Sequence, residues 1–162
     1  MKISNKILVI RKFIHNLDNN LQSVYPLTES KKVLLLSLEK SRIAVSECIN
    51  LALIIESNRG LIKPSKSKKK NLESFFNICC KDIGITNKEI EKIKEILLIS
   101  KDLRESSMNF KRKEDIIILS EELNYKKINL KRLEEYKNFV QILLEKIILM
   151  NKLDYSLNKN LN

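Results

Sequence analysis

Apolar residues recur at intervals of three and four along most of this chain. The first set is Ile3, Ile7, Ile10, Ile14, Leu17 and Leu21, whose spacing lays them on one face of a helix. Pro26 is expected to break that helix. Thr28 or Ser30 then caps a second one, with apolar positions Val33, Leu34, Leu38, Val45, Cys48, Ala52 and Ile55, dense enough to predict the most buried helix. Asn58-Arg59-Gly60 stops it, because glycine accepts the left-handed conformation just past a helix end. A lysine-rich loop follows, and a short helix over about residues 72–81 ends at Gly84. Thr86-Asn87-Lys88-Glu89 reads as a capping box, in which a Thr hydroxyl and a Glu carboxylate satisfy free amide donors reciprocally. The fourth helix starts there and runs to about Ser107, with Ile90, Ile93, Ile96, Leu97, Ser100 and Leu103 facing inward.

The period then changes. Asp115-Ile116-Ile117-Ile118-Leu119 is a β-branched run too short for a helix, and it predicts a strand. Asn124 and Tyr125 can turn the chain so that residues 126–128 pair back as a hairpin. Asn129 caps the last and longest helix, whose apolar face is Leu133, Tyr136, Val140, Leu143, Leu144, Ile147 and Met150, fading near Leu153. The predicted fold is all-α: a bundle of four main helices plus one short helix, with a small β-hairpin inserted before the last helix. It forms one domain over residues 1–155, with a frayed tail over 156–162.

Composition sharpens this picture. Two glycines and two prolines in 162 residues leave few tight turns and disfavour an all-β fold. Gly60 and Gly84 lie too far apart to build a glycine-rich phosphate loop. No apolar run reaches membrane-spanning length, and charges interrupt the N-terminal apolar residues as they do not in a secretory signal. Cys48, Cys79 and Cys80 form no even disulfide framework, so a reducing cytoplasm is the expected compartment. His15 has no second histidine to share a metal, and neighbouring carboxylates such as Glu121 with Glu122 point apart on a helix. No catalytic residue, metal or cofactor is assigned.

A net charge of +11 and a pI near 9.6 would attract a nucleic acid or an acidic protein, and no membrane partner is called for. A lysine-rich composition of the kind an AT-rich genome produces accounts for the same charge. Two segments concentrate it. One carries Lys63, Lys66, Lys68, Lys69 and Lys70 in the predicted loop. The other carries Arg104, Asn109, Lys111, Arg112 and Lys113, with Ser106, Ser107 and the aromatic Phe110, all groups suited to phosphate or base contact. The second segment reads equally as a helix end whose cations complement the dipole and lead into a polar loop.

Ser46-Glu47-Cys48-Ile49-Asn50-Leu51-Ala52, Arg59-Gly60-Leu61-Ile62-Lys63-Pro64, and Ile83-Gly84-Ile85 before a helix ending in Leu103-Arg104 together resemble the HEPN superfamily, especially its HepT-like toxins, over roughly residues 30–110. That resemblance implies a helical bundle, a homodimer, and for many members ribonuclease activity. The family's catalytic signature is an Arg, four intervening residues and a His, often with Asn directly after the Arg. Arg104 matches the Arg, but Glu105 stands in place of the Asn and Asn109 in place of the His. An amide binds phosphate but cannot exchange a proton near neutral pH. The resemblance therefore implies non-catalytic nucleic-acid binding, RNA before DNA. The alternative is an interaction adaptor or small subunit of a toxin–antitoxin or nucleoprotein complex, which predicts a surplus apolar stripe around Phe139, Ile148 and Met150. A ribonuclease using another residue set would need an acid–base pair that only the fold can assemble.

Overall fold

In the computed structural model, residues 3–106, 108–120 and 124–159 are described, with side chains up to Lys152. The first apolar stripe forms α1 (Ile3–Asn19) and buries Ile10 and Leu17 completely. Pro26 does not end this helical run. The chain widens into a π-helical turn over Asn20–Val24, where the Tyr25 N–H donates to the Asn20 carbonyl, and continues as α2 (Tyr25–Thr28). Pro26 falls in the first turn of α2, where a missing N–H leaves no bond unmade. The run stops at Glu29, which is left-handed at φ 46°.

Ser30 precedes α3 (Lys31–Asn58), the central helix, against which α1, α6 and α7 pack. Its interior includes Leu34, Leu38, Ala44, Val45, Cys48, Leu51 and Ala52, all fully buried, as the density of apolar positions predicts. Ser37 and Ser41 are buried as well. Their hydroxyls donate to the carbonyls one turn back, Val33 at 2.8 Å and Ser37 at 2.9 Å, so small polar residues fill tight helix contacts without an unmet donor. Gly60 carries the expected positive φ after α3.

The lysine-rich segment is less of a loop than expected. Ser67 accepts from the Lys70 N–H at 3.4 Å and starts α4 (Lys68–Ser74), so Lys68, Lys69 and Lys70 form a helical first turn. The helix passes through a second π-helical turn (Phe75–Cys79) into α5 (Cys80–Ile83) and stops at left-handed Gly84. The capping box at Thr86 and Glu89 is formed in full and opens α6 (Asn87–Glu105). Ile93, Ile96 and Ser100 are buried on its inner face. Of the expected helix end, Ser107 lies outside the described residues.

The predicted hairpin is a three-stranded antiparallel sheet ordered β1-β2-β3: β1 (Met108–Arg112), β2 (Asp115–Leu119) and β3 (Tyr125–Ile128). The segment read as a helix end and polar loop is the added strand β1. Its turn, Lys113-Glu114, has neither Gly nor Asn, and Lys113 itself takes φ 56°. Asn129 caps α7 (Leu130–Lys159), accepting from the Arg132 N–H at 3.0 Å. The backbone of the expected tail is helical to Lys159, and 160–162 lie outside the described residues. The chain is thus mostly helical, with one small sheet before its last helix, and no described helix is long and apolar enough to cross a membrane.

Candidate nucleic-acid interface

Side chains alternate faces along a strand, and directly opposed residues of an antiparallel pair share a face. Ile116 and Ile118 of β2, with Ile128 of β3, enter the core. Their partners in register, Lys111, Asn109 and Lys126, therefore share the inner face. Lys126 and Lys111 fasten the sheet by their side chains, and Asn109 by its backbone carbonyl alone. Lys126 pairs with Asp102 of α6 at 2.7 Å, and Lys31 of α3 donates to the Asn109 carbonyl at 2.8 Å. Lys111 donates to the Glu29 carbonyl at 2.7 Å with its ammonium 5.8 Å from the centre of the Tyr25 ring.

The outer face follows from the same register. Arg112 stands opposite Asp115; Phe110, Ile117 and Lys127 form the next row; Met108, Leu119 and Tyr125 form the last. Phe110, Ile117, Leu119 and Tyr125, with Arg112, Lys113, Asp115 and Lys127, line an open cleft of ≈ 470 Å³. Ile117 is its floor at 9% exposure, while Phe110 and Tyr125 stand out at 41% and 67%. Asp115 is committed: Lys127 pairs with it at 2.8 Å and Asn129 donates to it at 2.9 Å, and these bonds hold its carboxyl below the usual range. Arg112 and Lys113 are exposed and form no ion pair among the described residues. The face offers two aromatic surfaces for stacking and two uncommitted cations for phosphate.

The sequence-derived candidates divide accordingly. Arg112 and Lys113 join this face. Asn109 and Lys111 lie on the opposite face, where Lys111 holds the Glu29 carbonyl and Asn109 contributes only its backbone carbonyl. Arg104, in the last turn of α6, is half exposed with its guanidinium 3.5 Å from Glu39 of α3. Lys63, Lys66, Lys68, Lys69 and Lys70 are all exposed, but beyond the opposite end of α3. At about 1.5 Å per residue, Glu39 and Asn58 are roughly 28 Å apart along that helix, so the two basic regions do not merge. Tyr125 and Lys127 are not among the sequence-derived candidates. The signal that marks them is period-two alternation through Met108, Phe110 and Arg112, hidden by the absence of a turn residue between β1 and β2.

The other chemically interesting residues lie elsewhere. His15 is exposed in a groove between α1 and α7, where Lys137 is already paired with Asp18 at 2.6 Å. Cys48, Cys79 and Cys80 are free and buried; burial pushes the Cys79 thiol up to about 12 and Cys80 up to about 11, far from a reactive thiolate. Among the described residues no group of three or more His, Cys, Asp or Glu could hold a metal ion. Of the stripe expected for an adaptor, Met150 is buried, and Phe139 and Ile148 pack against the core. No family model, no curated protein and no solved structure matches this chain.

Proposed function

We propose that this chain binds single-stranded nucleic acid without cleaving it, on the outer face of its sheet. The observation that carries this reading is the pairing of exposed aromatics on both outer strands with the uncommitted cations Arg112 and Lys113. Stacking on an aromatic ring requires an unpaired base, which selects single strands over duplexes, and free cations track the phosphates. Two strand spacings across and two residues along put Phe110 and Tyr125 about 12 Å apart, so they would engage bases that are not neighbours in the strand. The choice of RNA over DNA, and a cytoplasmic setting, rest on the HEPN-like resemblance and the cysteine usage.

Anisotropy of a labelled single-stranded RNA should show binding that weakens steeply with salt. Phe110→Ala and Tyr125→Ala should each lose about 1–3 kcal/mol, the worth of one stacked base. Replacing Arg112 and Lys113 together by Ala should reduce the salt slope by about 1.4, for two phosphate contacts on a single strand. Binding unchanged in all three variants, or no salt-dependent binding by the unaltered chain, would overturn the proposal.

A further inference from the structure

A pocket of ≈ 350 Å³ opens between the C-terminal half of α3, the start of α1 and the turn into α4, at the end of α3 away from the sheet. That volume suits a small molecule. Its apolar lining is Leu53, Ile54 and the buried Ile62, with the exposed Pro64 at its edge. Its rim is polar, and folding uses only part of it. Asn71 is committed, accepting from the Ser65 N–H at 2.9 Å and donating to the Ser65 carbonyl at 2.9 Å, which closes the loop that forms one wall. Lys6 is paired with Glu47. Asn50, Ser57, Asn58 and Ser74, by contrast, make no side-chain hydrogen bond among the described residues, and Lys63 has no carboxylate partner there. No acidic residue is among those lining the pocket.

This combination constrains the ligand. The absence of carboxylates disfavours a cation, and an unneutralised lysine beside free amide and hydroxyl donors suits an anionic group. A bare inorganic anion would leave the apolar lining wet, whereas an apolar body covers it. Lys66, Lys68, Lys69 and Lys70 stand outside the lining, so Lys63 and Lys6 are its only cations and Lys6 is already paired. We propose that the pocket binds a compact organic anion, with its phosphate or carboxylate held by Lys63, Ser57 and Asn58 and its apolar body seated on Leu53, Ile54 and Ile62. This site is independent of the sheet face.

Phenyl phosphate and phenylacetate present the two head groups on similar bodies; benzyl alcohol lacks the charge and inorganic phosphate lacks the body. Each is titrated into the isotopically labelled full chain while the amide signals of Ser57, Asn58 and Lys63 are followed by nuclear magnetic resonance. The result expected is saturable binding of one or both phenyl anions, with the stronger identifying the head group and both controls at least about tenfold weaker. Lys63→Ala should weaken the anion by roughly tenfold, as loss of a charge-assisted hydrogen bond implies. Asn58→Leu, also at an exposed position, should weaken it as well. The proposal is overturned if neither anion moves those signals at millimolar concentration, or if both variants bind it as the unaltered chain does. Neither variant touches the sheet face, so binding of an RNA of about four nucleotides, too short to reach Lys63 from that face, is the control that separates failure here from failure of the nucleic-acid reading.

Discussion

Glu95 is the residue on which three elements meet. Its Oε1 accepts from the Tyr136 hydroxyl at 2.5 Å and from the Arg132 guanidinium at 3.1 and 2.9 Å, joining α6 to α7. Arg132 also donates to the Lys127 carbonyl at 2.6 Å, which extends the link to β3. Burial pushes the Glu95 carboxyl up, but the hydrogen bonds from Tyr136 and Arg132 and the nearby cations outweigh it and leave it below the ordinary value. A depressed carboxyl contributes stability that is present above the unfolded pKa and lost as the pH falls through the folded one. Glu56 acts in the opposite sense: it is fully buried, and burial, opposed by Arg59 and reinforced by Asp82, raises its pKa, so its ionisation costs stability as the pH rises. The contribution of Glu95 is therefore read as a difference. The urea midpoint should fall on acidification below about pH 5, and fall less in Glu95→Gln, whose side chain cannot titrate. Parallel pH profiles for the two proteins would show that the carboxylate contributes nothing through ionisation.

At the scale of elements, local signals and packing disagreed in two places. Pro26 reads as a helix breaker, yet the widened turn before it places it where its missing donor costs nothing. The β1–β2 connection reads as no turn at all, because a lysine occupies the position with positive φ. A side chain with a Cβ is strained there, and glycine is not. Lys113→Gly should therefore stabilise the fold by about 1 kcal/mol, seen as a rise in thermal midpoint, offset in part by the greater freedom glycine has when unfolded. A midpoint unchanged or lowered would mean that this turn is not strained. The same change removes a cation from the proposed interface, so RNA affinity at low salt should fall while stability rises, two effects of opposite sign from one position.

Across the whole molecule, α3 sets the distances. The sheet meets it at Lys31, so about 40 Å of helix lies between the sheet and Asn58, where the chain leads into the Lys63 to Lys70 region, and the positive charge is divided between distant patches. Strand length then becomes a test. An RNA of about four nucleotides is too short to reach both, whereas one of about twenty can lie across them. Replacing Lys66, Lys68, Lys69 and Lys70 together by Ala should leave binding of the short strand unchanged and weaken that of the long one. Equal weakening of both would move the interface to the lysine segment, and no change in either would leave those lysines as a solvated surface.

The amino-acid sequence by itself determined the helices and their inward faces, because a period of 3.6 residues and a capping box act within a few residues of chain. Ile10 and Leu17 on α1, Ile93, Ile96 and Ser100 on α6, and the Thr86–Glu89 cap are where spacing and chemistry place them. It also determined that positive charge would be abundant and concentrated in two segments, Lys63 to Lys70 and Arg104 to Lys113. Only the tertiary structure decided which of those charges stand together. Lys111 and Asn109 are as polar as Arg112, but the strand alternation puts them on the other face, where Lys111 holds the sheet to the Glu29 carbonyl, and β1 became a strand by pairing with β2 rather than through any turn signal of its own. Tyr125 and Lys127 reach Phe110 through a register of hydrogen bonds between separate strands, and the pocket beside Lys63 exists only where α1, α3 and α4 converge. Local periodicity records which way a residue faces its own element; the neighbours it finds there are set by non-local contacts, which a single sequence does not record.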